Sequence, residues 1–475
     1  MNHDSKVLAV LMLATIMSAA DSTVVLLAFP DITQTLGTNV SSSIWTILVY
    51  MLVTAVMTTQ LGKIGDIFGR AKIFNAGFAI FTAASALCGA SPDINYLIGF
   101  RILQGIGAAM LLANSGAIVA DTFPKERLGR AYGFIASGWG GGTLLGIILG
   151  GTLTTLFGWR YIFYINVPIG IIAVLLGIRY IKSKQTHRHK LDLSGMLLLG
   201  IALTLISYDA ISVADQGLAL SDGIPIIAGI LLAALFIWKE RRTKEPLIDL
   251  NVFRDRVLRF SLLAAMFVSL SSFSVFFLIT LYLQGIVGLT PLNAALLLAP
   301  GALIGLVLSP GMGRLSDRAG ARLVATIGVA AFAIAILVYL TLEANSSPYI
   351  VIFATIASGF GTALFYPANN AAVMSHAQAA YRGSMNGLLR TMVNIGGLLS
   401  YVVSIYIAST SIPRQIAFQV FVGTTKLLGG LTAQFMNGIH TALIGMLILV
   451  IAAAALSFAR GKLARSRWYG IRRPG

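Results

Sequence analysis

Apolar residues in this chain fall into long runs that are separated by short polar segments. A run of about 17 or more apolar residues can cross a hydrocarbon core about 30 Å thick as a helix. The pattern therefore predicts an all-α, polytopic membrane protein with fourteen spans and both termini on one side. The predicted spans are residues 7–28, 44–61, 73–91, 97–119, 131–157, 161–181, 193–211, 224–238, 258–284, 293–311, 323–341, 349–371, 384–408 and 437–459.

The composition agrees with this fold class. Of the 475 residues, 57% are hydrophobic and 11% are charged, whereas about 25% of residues are charged in an ordinary soluble domain. A soluble globular protein is therefore excluded. The first apolar run resembles a signal peptide that ends before Asp21, but apolar residues resume at Val24, so we expect the first helix to be retained.

The net charge of +17 comes from 34 Lys and Arg residues against 17 Asp and Glu residues. Three basic residues lie in the other loops and two lie within spans, which leaves 29 in one alternating set of loops. By the positive-inside rule, that set of loops and both termini face the cytoplasm. The positive charge therefore reflects membrane topology, and we expect the lipid bilayer of the cell membrane, not nucleic acid, as the partner.

Two polar segments recur along the chain. Gly62 to Gly69 matches Gly313 to Gly320 at an offset of 251 residues, and Arg127 to Gly133 matches Arg382 to Gly387 at nearly the same offset. The repeat predicts a duplicated six-helix unit, as found in secondary transporters. The expected divisions are a bundle at 1–182, two inserted helices with a cytoplasmic linker at 183–257, and a bundle with a basic tail at 258–475.

The first predicted span contains an acidic residue, Asp21, and the fourth contains an arginine, Arg101. Their depths below the outer surface are about 10 and 6 Å at 1.5 Å per residue, so we expect the two side chains to be able to meet. An ionised carboxylate inside a membrane is costly and usually functional. One interpretation is that Asp21 binds a proton and a cationic substrate in turn, and pairs with Arg101 in one conformation only. The alternatives are a structural acid bonded to Ser22 or Thr23, and a permanent ion pair.

The fifth span contains glycines at four-residue spacing, which form a strip where another helix can approach closely. Helix packing alone is the alternative explanation for this strip. The candidate glycines are Gly142, Gly146, Gly150 and Gly151.

The repeated polar segments are candidates for a gate that holds the cytoplasmic face closed through charge contacts. Asp66 and Arg70 stand four residues apart, a spacing at which helical side chains meet. Solvated loop charges are the alternative interpretation. The candidate gate residues are Gly62, Asp66, Gly69, Arg70, Asp317 and Arg318.

Aromatic residues on the ninth and twelfth spans are candidates for lining a cavity that suits planar cations. Lipid-facing or core packing is the alternative role for them. The candidate aromatics are Phe273, Phe276, Phe277, Phe360, Phe365 and Tyr366. The residues expected to line the cavity are Thr23, Gln104, Phe276, Phe365 and Tyr366. His187 and His189 have no third ligand, so no metal site is expected. A nucleotide-binding loop is also missing from the sequence, so we expect no cofactor and an energy supply from ion gradients.

Several of these segments together resemble the major facilitator superfamily, and within it the fourteen-helix drug/proton antiporter family. The resemblance rests on Gly62 to Lys72 between the second and third spans, Arg101 to Gly105, Gly158 to Arg160, Asn166 to Gly170, and Asp21 to Val25. It implies two six-helix bundles plus two central helices, and it identifies the glycine strip as the family's antiporter motif. The chain departs from the family pattern at Leu26, Ile67, Ala71 and Ile147.

The sequence as a whole thus favours a monomeric, proton-coupled exporter of hydrophobic and often cationic small molecules that works by alternating access. A dedicated transporter of one metabolite, such as an amino acid, a sugar or a lipid-like compound, is the closest alternative, and a non-transporting sensor is another. An enzyme is not expected, because no convincing set of catalytic side chains is present. The segment 411–438 is long for an outer loop and is a candidate cap on the outer face.

Overall fold

The computed structural model describes residues 3–38, 40–182, 191–216, 223–243, 246–248, 250–289, 291–377, 382–411 and 431–461. His187, His189, the basic tail and most of the segment 411–438 lie outside the described residues.

Fourteen helices of 18 residues or more follow one another in these ranges, in the order of the predicted spans. Eleven of them are long and apolar enough to cross a membrane; α7, α8 and α13 are the others. The predicted all-helical, polytopic fold is confirmed. The first seven helices are α1 (His3–Thr35), α2 (Trp45–Phe68), α3 (Arg70–Gly89), α4 (Ile94–Thr122), α5 (Leu128–Phe157), α6 (Tyr161–Tyr180) and α7 (Leu193–Gln216). The other seven are α8 (Gly223–Glu240), α9 (Arg256–Leu281), α10 (Pro291–Ala319), α11 (Ala321–Tyr339), α12 (Ile350–His376), α13 (Arg382–Ser411) and α14 (Leu431–Ala459).

The repeated polar segments are helical almost to their ends. The prediction that Gly62 to Gly69 forms a loop is wrong, because α2 continues to Phe68 and the chain turns only at Gly69. Gly69 has φ 104°, and Gly320, its counterpart in the second copy, has φ 90°. Glycine enters this region of φ without steric cost, so both copies end one helix and begin the next in the same way. We call the end of the molecule that carries these two turns the basic end.

The helices before and after the inserted pair form two sets with internal contacts of their own. In the first set, α1 packs on α5, α4 packs on α2 and α3, and α3 packs on α6. In the second set, α9 packs on α13 and α14, and α12 packs on α10 and α11. The two sets meet mainly where α5 contacts α10 and where α2 contacts α13. In the sequence repeat, α2 corresponds to α10 and α5 corresponds to α13. The two interfaces are therefore equivalent and are related by a pseudo-two-fold axis.

Equivalent glycines make the closest approach at the two interfaces. A Cβ atom at Gly133 of α5 would lie 2.5 Å from the carbonyl oxygen of Ser309 on α10. At Gly387 of α13, a Cβ atom would lie 2.8 Å from the Cα atom of Thr59 and 2.9 Å from the carbonyl oxygen of Thr58 on α2. Gly133 matches Gly387, and Thr58 matches Ser309, in the sequence repeat. Small residues therefore bring both helix pairs into backbone contact.

The inserted helices α7 and α8 pack mainly on each other, and α7 also contacts α2 and α13. At the basic end, the ammonium group of Lys239 on α8 lies 2.5 Å from a carboxylate oxygen of Asp192, just before α7. Gln60 of α2 donates a 3.1 Å hydrogen bond to the backbone oxygen of Asp192. Lys63 of α2 donates to the carbonyl oxygen of Pro246. The inserted pair and its linker are thus attached to the last turns of α2.

Candidate functional site

Asp21 and Arg101 form a buried ion pair between α1 and α4. Arg101 Nη1 lies 2.5 Å from Asp21 Oδ2, and the two residues are 1% and 0% exposed. The other carboxylate oxygen accepts a 2.8 Å bond from Gln104 Nε2 and a 3.4 Å bond from Asn166 Nδ2 of α6. Both oxygens of the carboxylate therefore have donors, as a buried charge requires.

The guanidinium of Arg101 is held from two further directions. Its Nε donates a 2.8 Å bond to the carbonyl oxygen of Thr46 at the start of α2, and its Nη1 donates a 2.7 Å bond to Gln104 Oε1. The ring of Tyr50 lies against the cation, 4.3 Å from the guanidinium carbon. Gln104 also donates to the hydroxyl of Ser85 on α3. Five helices of the first set thus converge on one acid and one base.

A central cavity of ≈ 290 Å³ lies between the two sets of helices. Its lining comes from α1, α2, α4 and α5 of the first set and from α9 to α13 of the second set. Arg101 is part of the lining, whereas Asp21 lies behind it. The described lining residues include two arginines and no carboxylate.

The expected lining residues divide into two groups. Thr23, Phe273, Phe276 and Tyr366 face the cavity. Four others are not lining residues, so their predicted place is wrong. Gln104 is 0% exposed because Asp21 and Arg101 engage its amide, Phe365 is 1% exposed in the core, Phe277 packs on Tyr401, and Phe360 is exposed at the outer surface of the bundle.

The basic end of the structure is closed by contacts between the two sets. Asp317 of α10 accepts hydrogen bonds from the backbone N–H groups of Gly129 (2.8 Å) and Arg130 (3.0 Å), at the start of α5. A carboxylate at this position stabilises the positive end of a helix dipole. The expected charge contact with Arg318 is absent: Arg318 is exposed and has no ion pair among the described residues. Asp317 thus bonds to backbone amides across the interface instead.

The first copy of the segment has a different set of contacts. The guanidinium of Arg70 lies 2.7 Å from Asp66 Oδ1 and also pairs with Asp121 of α4. These three residues belong to the same set of helices. The expected contact between Asp66 and Arg70 is therefore present, while Gly62 is buried in the last turns of α2.

Polar contacts close the second interface between the cavity and the basic end. The hydroxyls of Thr59 on α2 and Thr391 on α13 are 2.9 Å apart. Asn386 of α13 donates bonds of 2.8 and 2.7 Å to the carbonyl oxygens of Leu112 and Ala113 on α4. Together with Asp317, these contacts separate the cavity from the basic end.

The glycine strip of α5 lies against α1, the helix that carries Asp21. A Cβ atom at Gly142 would lie 2.5 Å from the carbonyl oxygen of Ile16, and one at Gly146 would lie 2.8 Å from that of Ala20. Larger residues at these positions therefore require α1 to move. The strip positions the segment of α1 on either side of the buried acid.

Gly150 is buried on α5. Gly151 does not belong to the strip, because its nearest neighbour would be a methyl group of Leu292 on α10, at an ordinary 3.6 Å. The helix turns by about 100° per residue, so adjacent glycines cannot face the same neighbour.

Sequence reasoning missed several polar residues of the site. Asn166 contacts Asp21, and Trp139, Arg390 and Asn394 line the cavity. Arg390 is a charge inside a span, the same signal that identified Asp21. Asp209 is a second buried acid in a long helix. The predicted span ends at residue 211, which puts Asp209 close to the membrane surface, whereas α7 runs to Gln216. The described residues contain no group of three or more potential metal ligands.

Comparison with known proteins gives a consistent result. Residues 11–401 match the family model described as Major Facilitator Superfamily. The riboflavin transporter RibZ of Clostridioides difficile (strain 630) is 31% identical over 82% of this chain and 85% of its own length. Multidrug resistance protein 3 of Bacillus subtilis (strain 168) is 30% identical over 79% of this chain and 74% of its own length.

A third relative is the tetracenomycin C resistance and export protein of Streptomyces glaucescens, 30% identical over 81% of this chain and 72% of its own length. Among solved structures, the human organic anion transporter MFSD10 superposes with a TM-score of 0.65 at 14% identity, over 95% of this chain and 100% of that chain. At that identity, the likeness concerns the fold alone.

Proposed function

Because the chain belongs to the major facilitator superfamily, whose members are membrane transporters and not enzymes, we propose that it is a proton-coupled exporter of hydrophobic small molecules. The observation that carries this proposal is the buried acid Asp21, paired with an arginine that reaches the central cavity. The names of two relatives, a multidrug resistance protein and an antibiotic export protein, support export as the direction.

Asp21 is the proposed proton-binding group. Protonation removes the negative charge that holds Arg101, so the pair opens and Arg101 presents an uncompensated charge to the cavity. Deprotonation restores the pair. Because Arg101 lines the cavity and Asp21 does not, the proton and the substrate communicate through the arginine. Each protonation state then favours a different conformation of the surrounding helices.

Alternating access is proposed to occur by rocking of two bundles, residues 1–182 and 258–475, at the α2–α13 and α5–α10 interfaces. The contacts of Asp317 and Thr59 at the basic end would break when that end opens. By the positive-inside rule the basic end is cytoplasmic, so the substrate would enter there. The inserted pair 183–257 would follow α2, to which Gln60 and Lys63 attach it.

The cavity supports hydrophobic, planar substrates because several helices contribute aromatic rings to its wall. Tyr50, Trp139 and Phe276 are examples from three different helices. The described lining residues include no carboxylate to pair with a cation, so a cation would rely on ring faces and on hydroxyl and amide oxygens. Neutral or negatively charged compounds suit this lining better than the lipophilic cations expected from sequence.

Substrate-induced proton movement tests the proposal directly. The chain is reconstituted in liposomes that enclose a pH-sensitive dye, and a panel of lipophilic cations, neutral compounds and acids is added under a pH gradient. We expect several compounds to trigger proton flux in the wild type and none to do so in Asp21→Asn. Asp31→Asn is the matched control, because Asp31 lies on the same helix and accepts a bond from the Trp159 backbone, away from the cavity. Proton flux that persists in Asp21→Asn contradicts the proposal.

A dedicated transporter of one metabolite is the second candidate. It is favoured by the relative named as a riboflavin transporter, which matches as much of this chain as the resistance proteins do. The same panel separates the two candidates: a single active compound indicates a dedicated transporter, and several unrelated ones indicate multidrug export. Ligand binding without any flux would indicate a sensor.

A further inference from the structure

Arg390 of α13 lies at the floor of the central cavity. Gly387, one turn earlier, is in backbone contact with α2, and the next residue, Thr391, is bonded to Thr59. Arg390 itself lines the cavity. It therefore occupies the first turn above the point where the two sets of helices close together.

The charge of Arg390 has no counter-ion in the described part of the structure. Its Nε atom is buried and has no hydrogen-bond partner among the described residues. Arg101, the other cavity arginine, has Asp21 at 2.5 Å. An arginine without an anion is costly inside a membrane and marks a substrate or ion pathway.

Asn394 adds a second unused donor. Its Nδ2 atom is buried without a hydrogen-bond partner, and the residue lines the cavity. It follows Arg390 by four residues on α13, so both side chains lie on the same face of the helix. Within the part of the chain that the structure describes, two unpaired N–H donors and one uncompensated positive charge thus meet a cavity whose lining has no carboxylate.

We propose that Arg390 and Asn394 form a binding subsite for the carboxylate of an amphipathic aromatic acid. A guanidinium offers paired N–H donors that match the two oxygens of a carboxylate, and such charge-assisted bonds are among the strongest in proteins. The aromatic part of the substrate packs on Phe273, Phe276 and Tyr366. This assignment rests on the proposed function, because it takes the central cavity as the substrate site.

The opposite interpretation is a purely structural arginine that finds its anion in another conformation of the transporter. That role predicts no dependence of ligand affinity on ligand charge. The two interpretations therefore differ in a property that binding alone reveals, without any transport.

The test uses three ligands with one aromatic scaffold: 2-naphthylacetate, 2-(2-naphthyl)ethanol and 2-(2-naphthyl)ethylamine. The purified full chain in lipid nanodiscs is titrated with each at neutral pH, where the first is an anion and the last a cation. Apparent Kd values come from the rise in unfolding temperature with ligand concentration. We expect the acid to bind at least about tenfold more tightly than the alcohol and the amine, which corresponds to about 1.4 kcal/mol.

Variants localise the preference. Arg390→Gln is expected to bind the acid and the alcohol equally, Arg390→Lys to keep part of the preference, and Asn394→Ala to weaken the acid alone by about threefold. Arg179→Gln, which removes an exposed arginine at the end of α6, is the matched control and should behave as the wild type. If Arg390→Gln fails to fold, the lysine variant and the wild-type ligand series still decide the question.

Three results overturn the subsite: no preference for the acid in the wild type, a preference that survives in Arg390→Gln, or no binding of any of the three ligands. A failure of the proposed function gives a different result from a failure of the subsite. A chain that prefers the acid through Arg390 but moves no protons retains the subsite and loses proton-coupled export.

Discussion

Asp21 and Arg101 are oppositely charged, and each offsets the cost of burying the other. The carboxylate has three donors around it, from Arg101, Gln104 and Asn166. Breaking a buried pair by removing one partner costs more than removing both, because it leaves an uncompensated charge. Comparing the stability of single and double variants therefore measures the structural contribution of the pair, and comparing their proton flux measures its proposed role in proton coupling.

We expect Arg101→Gln to destabilise the protein by about 3–5 kcal/mol, because Asp21 then loses its counter-ion. The double variant Asp21→Asn with Arg101→Gln removes both charges and should recover most of the stability. Thermal unfolding in detergent measures both effects. Proton flux should be lost in each variant, and a double variant no more stable than Arg101→Gln would show that the pair does not act as a unit.

Among the helices, the inserted pair has a polar contact with its own linker. Glu240 lies at the polar end of α8, beyond the predicted span 224–238, and is 2% exposed. Its carboxylate accepts a 2.7 Å bond from the backbone N–H of Ile248 in the linker, and Lys239 Nζ lies 3.5 Å away. Asp192 is the neighbouring acid from the start of α7. The linker is thus bonded to this buried carboxyl group as well as to Lys63 of α2.

Burial raises the pKa of Glu240 to about 7. The folded protein therefore holds this proton at pH values where the unfolded chain, with a glutamate pKa of about 4.3, has lost it. The stabilisation is present below about pH 4.3 and is lost as the pH rises to about 7, by at most about 4 kcal/mol. Glu240→Gln should flatten the dependence of the unfolding temperature on pH in this window. Glu343→Gln, at an exposed acid, should leave it unchanged, and an equal slope in all three proteins would rule out this contribution.

On the scale of the whole molecule, the two interfaces between the sets of helices are equivalent in position but not in chemistry. The α5–α10 interface is closed by Asp317 on backbone amides, whereas the α2–α13 interface is closed by a pair of threonine hydroxyls. If the two bundles rock about these interfaces, fixing one contact at the basic end must stop the cycle.

A disulfide provides the test. The hydroxyls of Thr59 and Thr391 are 2.9 Å apart, so cysteines at these positions should form a bond on oxidation in a background with Cys88→Ser. We expect oxidation to stop transport and reduction to restore it. Cysteines at Thr326 and Ser457, whose hydroxyls are 3.0 Å apart, are the control, because α11 and α14 belong to the same bundle and should move together. Transport that continues with Thr59 and Thr391 crosslinked would contradict rocking at this interface.

Among the described residues, the helices of 18 residues or more follow the predicted number and order, because long, largely apolar runs fold as helices in a membrane. The sequence also placed Asp21 and Arg101 at compatible depths, and the structure has them in contact. It did not predict which face of a helix meets the cavity, so Phe365 and Phe360 were placed wrongly and Trp139 was missed. The pattern predicts a loop from Gly62, yet α2 continues to Phe68, because polar residues at a membrane surface need not end a helix.

The proposed proton-binding residue and the proposed carboxylate subsite are on different parts of the chain. Asp21 and its partners lie on α1, α4 and α6, whereas Arg390 and Asn394 lie on α13. Under selection by a new toxic compound, changes on α13 can alter which molecules are accepted while the energy source stays intact. Adaptive substitutions should therefore accumulate at lining positions that do not touch Asp21 or its partners, such as those on α13. Asp21, Arg101, Gln104 and Asn166 should tolerate few, so the positions that change and the positions that are kept lie on different helices.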